Sequence, residues 1–140
     1  MKEYVKILIV DDEAIMRNLL LKILEKEGYQ ISVVGSAQEA LDYIENTKVD
    51  LVLSDIRMPG MNGFDLLRKI KAEKPDIAVI MMTGYGDTYT VKEALMNGAD
   101  EYITKPFKNH EISLIVERAY WRLMSMRNYS QNLEEIDSTD

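Results

Sequence analysis

Five short β-branched runs alternate with amphipathic segments along nearly the whole chain, and no other feature limits the fold as tightly. The runs are Val5 to Val10, Gln30 to Val34, Asp50 to Ser54, Ile77 to Met81 and Glu101 to Thr104. Several are almost wholly apolar (Val5, Ile7, Leu8, Ile9, Val10; Leu51, Val52, Leu53), the pattern of strands buried on both faces. Between them, Glu13 to Glu27, Ala37 to Thr47, Gly63 to Lys74, Asp87 to Asn97 and Asn109 onward carry helical periodicity. Ser36-Ala37-Gln38-Glu39 reads as a capping box, and Gly28 and Gly98 stand where a helix ends in a left-handed residue. This alternation predicts a parallel sheet with helices on both faces, and 140 residues without an internal repeat predict one domain.

In open parallel sheets, ligands bind beyond the carboxyl ends of the strands, so the residues following each run are the candidate site. Asp11, Asp12 and Glu13 follow the first run, Asp55 the third, Thr83 the fourth, and Lys105-Pro106 the fifth. Taken singly, each has a plainer reading. Asp12 could cap the first helix, Asp55 could open a turn, Thr83 could bond locally, and Lys105 could be a surface lysine. Their joint placement outweighs those readings. Neighbouring carboxylates repel by about 4 kcal/mol at 4 Å and an effective dielectric of ~20, so the cluster calls for a cation. Acids, a hydroxyl and an ammonium together suit Mg²⁺ with a phosphoryl group.

Composition removes other classes. A net charge of −7 leaves no basic surface for direct nucleic-acid binding. No apolar run is long enough to span a membrane, and the N-terminus lacks a signal pattern, so no membrane association is expected. The absence of cysteine excludes disulfides and thiolate metal sites and is compatible with a cytoplasmic protein.

Val10-Asp11-Asp12, the run from Ser54 through Asp55, Met58-Pro59-Gly60 and Asn62-Gly63, Met82-Thr83-Gly84, and Lys105-Pro106-Phe107 resemble the receiver domain of two-component response regulators. The resemblance covers roughly residues 4–122, and its four pieces occur in the family's order and spacing. It implies a flavodoxin-like doubly wound five-stranded parallel sheet of order 2-1-3-4-5. It also implies that Asp55 accepts a phosphoryl group from a sensor histidine kinase or a phosphotransfer protein. Asp12 and Asp55 would ligate Mg²⁺ (or Mn²⁺), with Asp11 acting directly or through water and the Arg57 carbonyl as a further ligand. Lys105 and Thr83 would bond the phosphoryl oxygens, while Thr83 and Tyr102 would form the switch to an α4-β5-α5 output face. The resemblance further implies a cis Lys105–Pro106 peptide. On this reading the chain is a signalling switch and not an enzyme with turnover on outside substrates.

The run Met82-Thr83-Gly84-Tyr85-Gly86-Asp87 is most similar to receivers of ATPase-type transcription activators. The chain would be a free-standing receiver or a fragment of something longer. Arg57 and Tyr85 are bulky residues two positions after Asp55 and Thr83, and they are expected to slow loss of the phosphoryl group. Two other classes compete. A Mg-dependent phosphatase with an aspartyl-phosphate intermediate needs an acid two residues after the nucleophile, where Arg57 stands. A flavin or nucleotide carrier needs a glycine-rich loop where this chain has acids.

From Ile112 a heptad places Ile112, Ala119, Met126 and Leu133 at a, and Ile115, Arg122, Tyr129 and Ile136 at d. Two readings stand: a last helix fraying into a polar tail, or a helical extension joining a weak homodimer with Tyr120, Trp121 and Leu123 beside its seam. The expected organisation is a receiver over 1–122 and an extension over 123–140. On the first helix, Met16 and Leu19 are candidates for a kinase-docking patch, and the lone His110, near the start of the last helix, has no four-helix pattern around it for a phosphodonor.

Overall fold

The computed structural model describes residues 2–84 and 91–138, with only the helical path given from 129 onward. After a 3-10 turn at Lys2–Tyr4 come β1 (Lys6–Val10), α1 (Ala14–Lys26), β2 (Gln30–Val34), α2 (Ala37–Asn46) and β3 (Leu51–Asp55). α3 (Gly63–Glu73), β4 (Ala78–Thr83), α4 (Val91–Met96), β5 (Glu101–Thr104) and α5 (Asn109–Ser138) complete the chain. The sheet is wholly parallel in the order β2-β1-β3-β4-β5, as expected. Its register sets Val10 opposite Ser54, Asp55 opposite Met82, and Thr83 opposite Thr104, which aligns the carboxyl ends along one edge.

Side chains alternate across the pleat, so each central strand feeds two cores. Leu8, Val10, Val52, Val79 and Met81 pack with Ile44, Leu67, Ile70 and Ala94 beneath α2, α3 and α4. Ile7, Ile9, Leu53, Ile80 and Met82 pack with Leu20, Leu24, Ile112, Val116 and Tyr120 beneath α1 and α5. β3 lies one residue later than its apolar run suggests, and β4 begins one residue later and ends two later. Just ahead of β3, Asp50 donates its N–H to the Lys6 carbonyl at 2.9 Å and accepts the Lys6 N–H on its carboxylate at 2.9 Å, while Asp55 joins the pairing with β4.

Helix ends depart from expectation in one place and add a feature in another. Ser36 Oγ accepts the Glu39 N–H at 3.1 Å, but the Glu39 carboxylate reaches past Ser36 to the Gly35 N–H, so the reciprocal box is incomplete. A full capping box instead opens α3, between Asn62 and Asp65. Gly28 and Gly98 end α1 and α4 with φ of 102° and 98°, the conformation that a side chain disfavours. Of the predicted fourth helix, residues 87–90 lie outside the described residues.

α5 runs unbroken for 30 residues, about 45 Å at 1.5 Å per residue. Ile112, Val116, Ala119, Tyr120 and Leu123 bury its first half against the sheet. That corrects the expected dimer seam, because Ala119 and Tyr120 are core residues with 1% exposure each. Arg122, also written into the seam, turns to Glu101 (2.9 Å) and the Asp100 carbonyl (2.7 Å). Met126 is exposed, whereas the side chains of Tyr129, Leu133 and Ile136 lie outside the described residues. Packing does not stop at Arg122: Leu123 is buried, and Arg127 pairs with the buried Asp50 at 2.6 Å. Among the described residues, no helix is long and apolar enough to cross a membrane.

Candidate functional site

Each residue at the carboxyl edge is carried there by the end of a strand. Asp11 follows β1 directly and is fully buried, its Oδ1 accepting the Glu13 N–H at 2.9 Å. That bond turns the chain into α1 and leaves Asp12 exposed beside it. Asp12 is not the helix cap; Glu13 holds that position, without a capping side chain. Asp55 is the last residue of β3 and is also buried. One carboxylate oxygen from each of Asp11, Asp12 and Asp55 lies within 4.8 Å of the others, while Glu13 stays outside this group.

Lys105 ties the edge together. Its Nζ donates to Asp11 Oδ2 at 2.9 Å and to Asp55 Oδ2 at 3.2 Å, from the far end of the sheet. The Lys105–Pro106 peptide is cis, and the Lys105 N–H donates to the Thr83 carbonyl at 2.6 Å. Thr83 is buried at the end of β4. Arg57 is exposed, and its backbone N–H reaches the Asp55 carboxylate. Tyr102 is half-buried on β5 against the core under α2 to α4. Tyr85 lies outside the described residues. On α1, Leu19 is exposed but Met16 packs into the core, and Ile15 is the exposed neighbour instead.

Three carboxylates and one ammonium leave two negative charges unbalanced. Burial pushes the Asp55 carboxyl above its ordinary range, Lys105 pulls it back, and Asp11 raises it again. Burial likewise opposes charge on Lys105, but its bonds to Asp11 and Asp55 outweigh this and raise its pKa. Two carboxylates 4.8 Å apart repel by about 3–4 kcal/mol at an effective dielectric of ~20, so the group fits a small divalent cation held by oxygens.

The raised Asp55 gives a pH signature. Between about pH 4, where an unfolded Asp titrates, and the raised folded value, the native state holds the extra proton. Stability without metal is therefore expected to fall as pH rises through that window. Asp55→Asn should remove this fall and raise the neutral-pH melting temperature by a few degrees. Urea unfolding in chelator at several pH values checks it, and parallel pH profiles for the two proteins would contradict it.

One member of the site has little trace in the sequence. Arg17 Nη1 donates to the Asp11 carbonyl at 2.7 Å, and Gly35 leaves room for the guanidinium, which a Cβ there would meet at 3.3 Å. Its only sequence sign is a cation one turn after a run of acids.

A doubly wound domain with a lysine-bridged acid cluster at its carboxyl edge is the class of molecule these elements define. The sequence profile of the response regulator receiver domain matches residues 7–117, and the chain belongs to that family. It is 40% identical over 135 residues to the DNA-binding response regulator MtrA of Mycobacterium tuberculosis, covering 96% of this chain and 57% of MtrA. The chain thus spans little more than half of that relative. Among solved structures, NtrX of Brucella abortus superposes with a TM-score of 0.86 at 36% identity, covering 93% of this chain and 29% of NtrX. A receiver domain protein of Clostridium thermocellum gives a TM-score of 0.80 at 35% identity, over 87% of this chain and 98% of that one.

Proposed function

We propose that the chain is a phosphorylation switch in which Asp55 accepts a phosphoryl group from a histidine kinase or a phosphotransfer protein. The observation that carries this reading is the Lys105 ammonium held between the buried Asp11 and Asp55 carboxylates beside Asp12. An Asp55 oxygen attacks phosphorus, the phosphorus–nitrogen bond to the donor imidazole breaks with its electron pair left on nitrogen, and an acyl phosphate remains. Lys105 is within reach to follow the incoming oxygens, and Thr83 lies at the end of the adjacent strand to bond another. Asp11, Asp12, Asp55 and the Arg57 carbonyl would hold Mg²⁺ or Mn²⁺, which neutralises charge developing on the phosphoryl oxygens. Positioning and charge neutralisation are then most of the catalysis.

Phosphorylation brings about −1.5 to −2 charges to this edge. Thr83 drawn toward them would vacate space beside Tyr102, and the α4-β5-α5 surface would change its partner affinity. Val91, Leu95 and Met96 on α4 and Leu114 and Trp121 on α5 are exposed there, which supports an output surface. The receiver would occupy 1–122, and 123–140 would extend it. A weak homodimer would use α5 from Met126 onward, since Ala119 is buried in the core and Arg122 is bonded to Glu101 and the Asp100 carbonyl. A cytoplasmic location accords with the proposed donor.

Incubation with acetyl phosphate and Mg²⁺ should add one phosphoryl mass to the intact chain, and chelator should prevent it. Asp12→Ala should weaken Mg²⁺ affinity about tenfold or more, measured by calorimetry, because it removes one of few charged ligands. Unchanged affinity would remove Asp12 from the metal site.

A further inference from the structure

The turn from Asp55 back into the next helix is closed by backbone alone. Gly63, the first residue of α3, donates its N–H to the Ile56 carbonyl at 2.8 Å, so the loop carrying Arg57 is pinned at both ends. At Gly63 φ is not positive, so the backbone conformation does not demand glycine. Proximity demands it. A Cβ there would stand 2.2 Å from the Asp55 carbonyl oxygen, 2.8 Å from Ile56 Cα and 2.8 Å from Met81 Cε. Met81 Cε ends a flexible side chain that can swing away, but the Asp55 carbonyl and Ile56 Cα are backbone. The Asp55 carbonyl is also held by Ser54 Oγ at 2.9 Å, so it is confined by the Ser54 hydroxyl and the start of α3.

The same helix start is fastened from its own side. Asn62 Oδ1 accepts the Asp65 N–H at 2.9 Å, and Asp65 Oδ2 accepts the Asn62 N–H at 3.4 Å. Asp65 is further paired with Arg68, whose other nitrogen donates to Asn97 Oδ1 at 2.8 Å, beyond the end of α4. Buried backbone packed this closely transmits displacement instead of absorbing it.

We infer that Asn62 and Gly63 are positioning residues for phosphoryl transfer: the capped start of α3 presses on the Asp55 backbone and sets its carboxylate against Arg57 N–H and Lys105. The inference rests on the reading of Asp55 as acceptor. A side chain at Gly63 must move the Asp55 backbone, and a displacement near 1 Å lowers such rates by about a hundredfold. Loss of the Asn62 cap frees the helix start without a clash and acts more weakly.

The test measures phosphorylation by acetyl phosphate at saturating Mg²⁺, with Mg²⁺ affinity and thermal unfolding on the same samples. Gly63→Ala should slow the reaction about a hundredfold per folded molecule. Asn62→Ala should slow it several-fold, and Asn62→Ser, which keeps a capping oxygen, should restore it. Leu67→Ala, buried in the same helix away from the acids, should lower stability yet leave the rate of the folded fraction unchanged. Should Gly63→Ala fail to fold, the Asn62 pair decides. Asn62→Ala reacting at the wild-type rate overturns the inference, as does equal slowing by Leu67→Ala. Labelling that survives Asp55→Asn would instead overturn the acceptor assignment and leave the packing described here untouched.

Discussion

Asp55→Asn is expected to reduce phosphorylation by acetyl phosphate and Mg²⁺ to background. The substitution keeps the shape of a buried residue at the end of β3 and removes only the anionic oxygen that would attack phosphorus. An amide at this position is neutral and a poor nucleophile, so no slower version of the same reaction remains. Lys105 keeps Asp11 as partner at 2.9 Å, and the fold should survive. Without metal the variant should even be more stable at neutral pH, since burial and Asp11 both disfavour the charged Asp55. Loss of labelling together with a raised melting temperature therefore separates lost chemistry from lost structure. Intact-mass and melting measurements on both proteins check it, and equal labelling of the variant would end the assignment of Asp55.

Just before the start of the same strand, Asp50→Ala should lower stability by about 2–3 kcal/mol, or roughly 10 °C in melting temperature. Asp50 is 2% exposed, and its two oxygens accept Arg127 Nη2 at 2.6 Å and the Lys6 N–H at 2.9 Å. Breaking a buried pair by removing one partner costs about 3–5 kcal/mol. The Arg127 side chain is 40% exposed, and solvent screening brings the figure down. Arg127→Met should cost a similar amount, about 2–3 kcal/mol, because it leaves the buried Asp50 carboxylate with the Lys6 N–H as its remaining partner. The double variant should be no less stable than Asp50→Ala by more than a few tenths, since both remove the same bond. A chain ending at Met124 should lose at least as much as Arg127→Met. Denaturant unfolding of the four proteins tests this, and an Asp50→Ala protein as stable as the wild type would mean that α5 is free beyond Leu123.

The sheet and its carboxyl-edge residues were legible because both follow from short-range patterns. Buried parallel strands need unbroken apolar runs, and the residue ending each run falls on one edge once the strands align. Asp11, Asp12, Asp55, Thr83 and Lys105 could thus be grouped before any distance was known. The caps were less legible. Ser36 and Glu39 have the box spacing, but the Glu39 carboxylate found the Gly35 N–H. Asn62 and Asp65 form the complete box with a shorter acid than the usual pattern requires. The C-terminal heptad misled in its first half for a related reason. A repeat of apolar positions serves a domain core as well as a coiled coil, and Ala119 and Tyr120 were claimed by the core.

Sequence by itself determined the alternation of strands and helices, the family, and the acids that stand at the strand ends. Each depends on spacings of a few residues, where one residue's neighbours are fixed by the geometry of a single strand or helix. The tertiary structure decided the partners. Lys105 meets Asp11 across 94 positions and Arg127 meets Asp50 across 77, while Arg17 rather than a main-chain donor holds the Asp11 carbonyl. Local periodicity carries no information about which charge a long side chain will meet. That choice is made when strand order and helix packing bring distant segments within about 3 Å, the distance at which hydrogen bonds form.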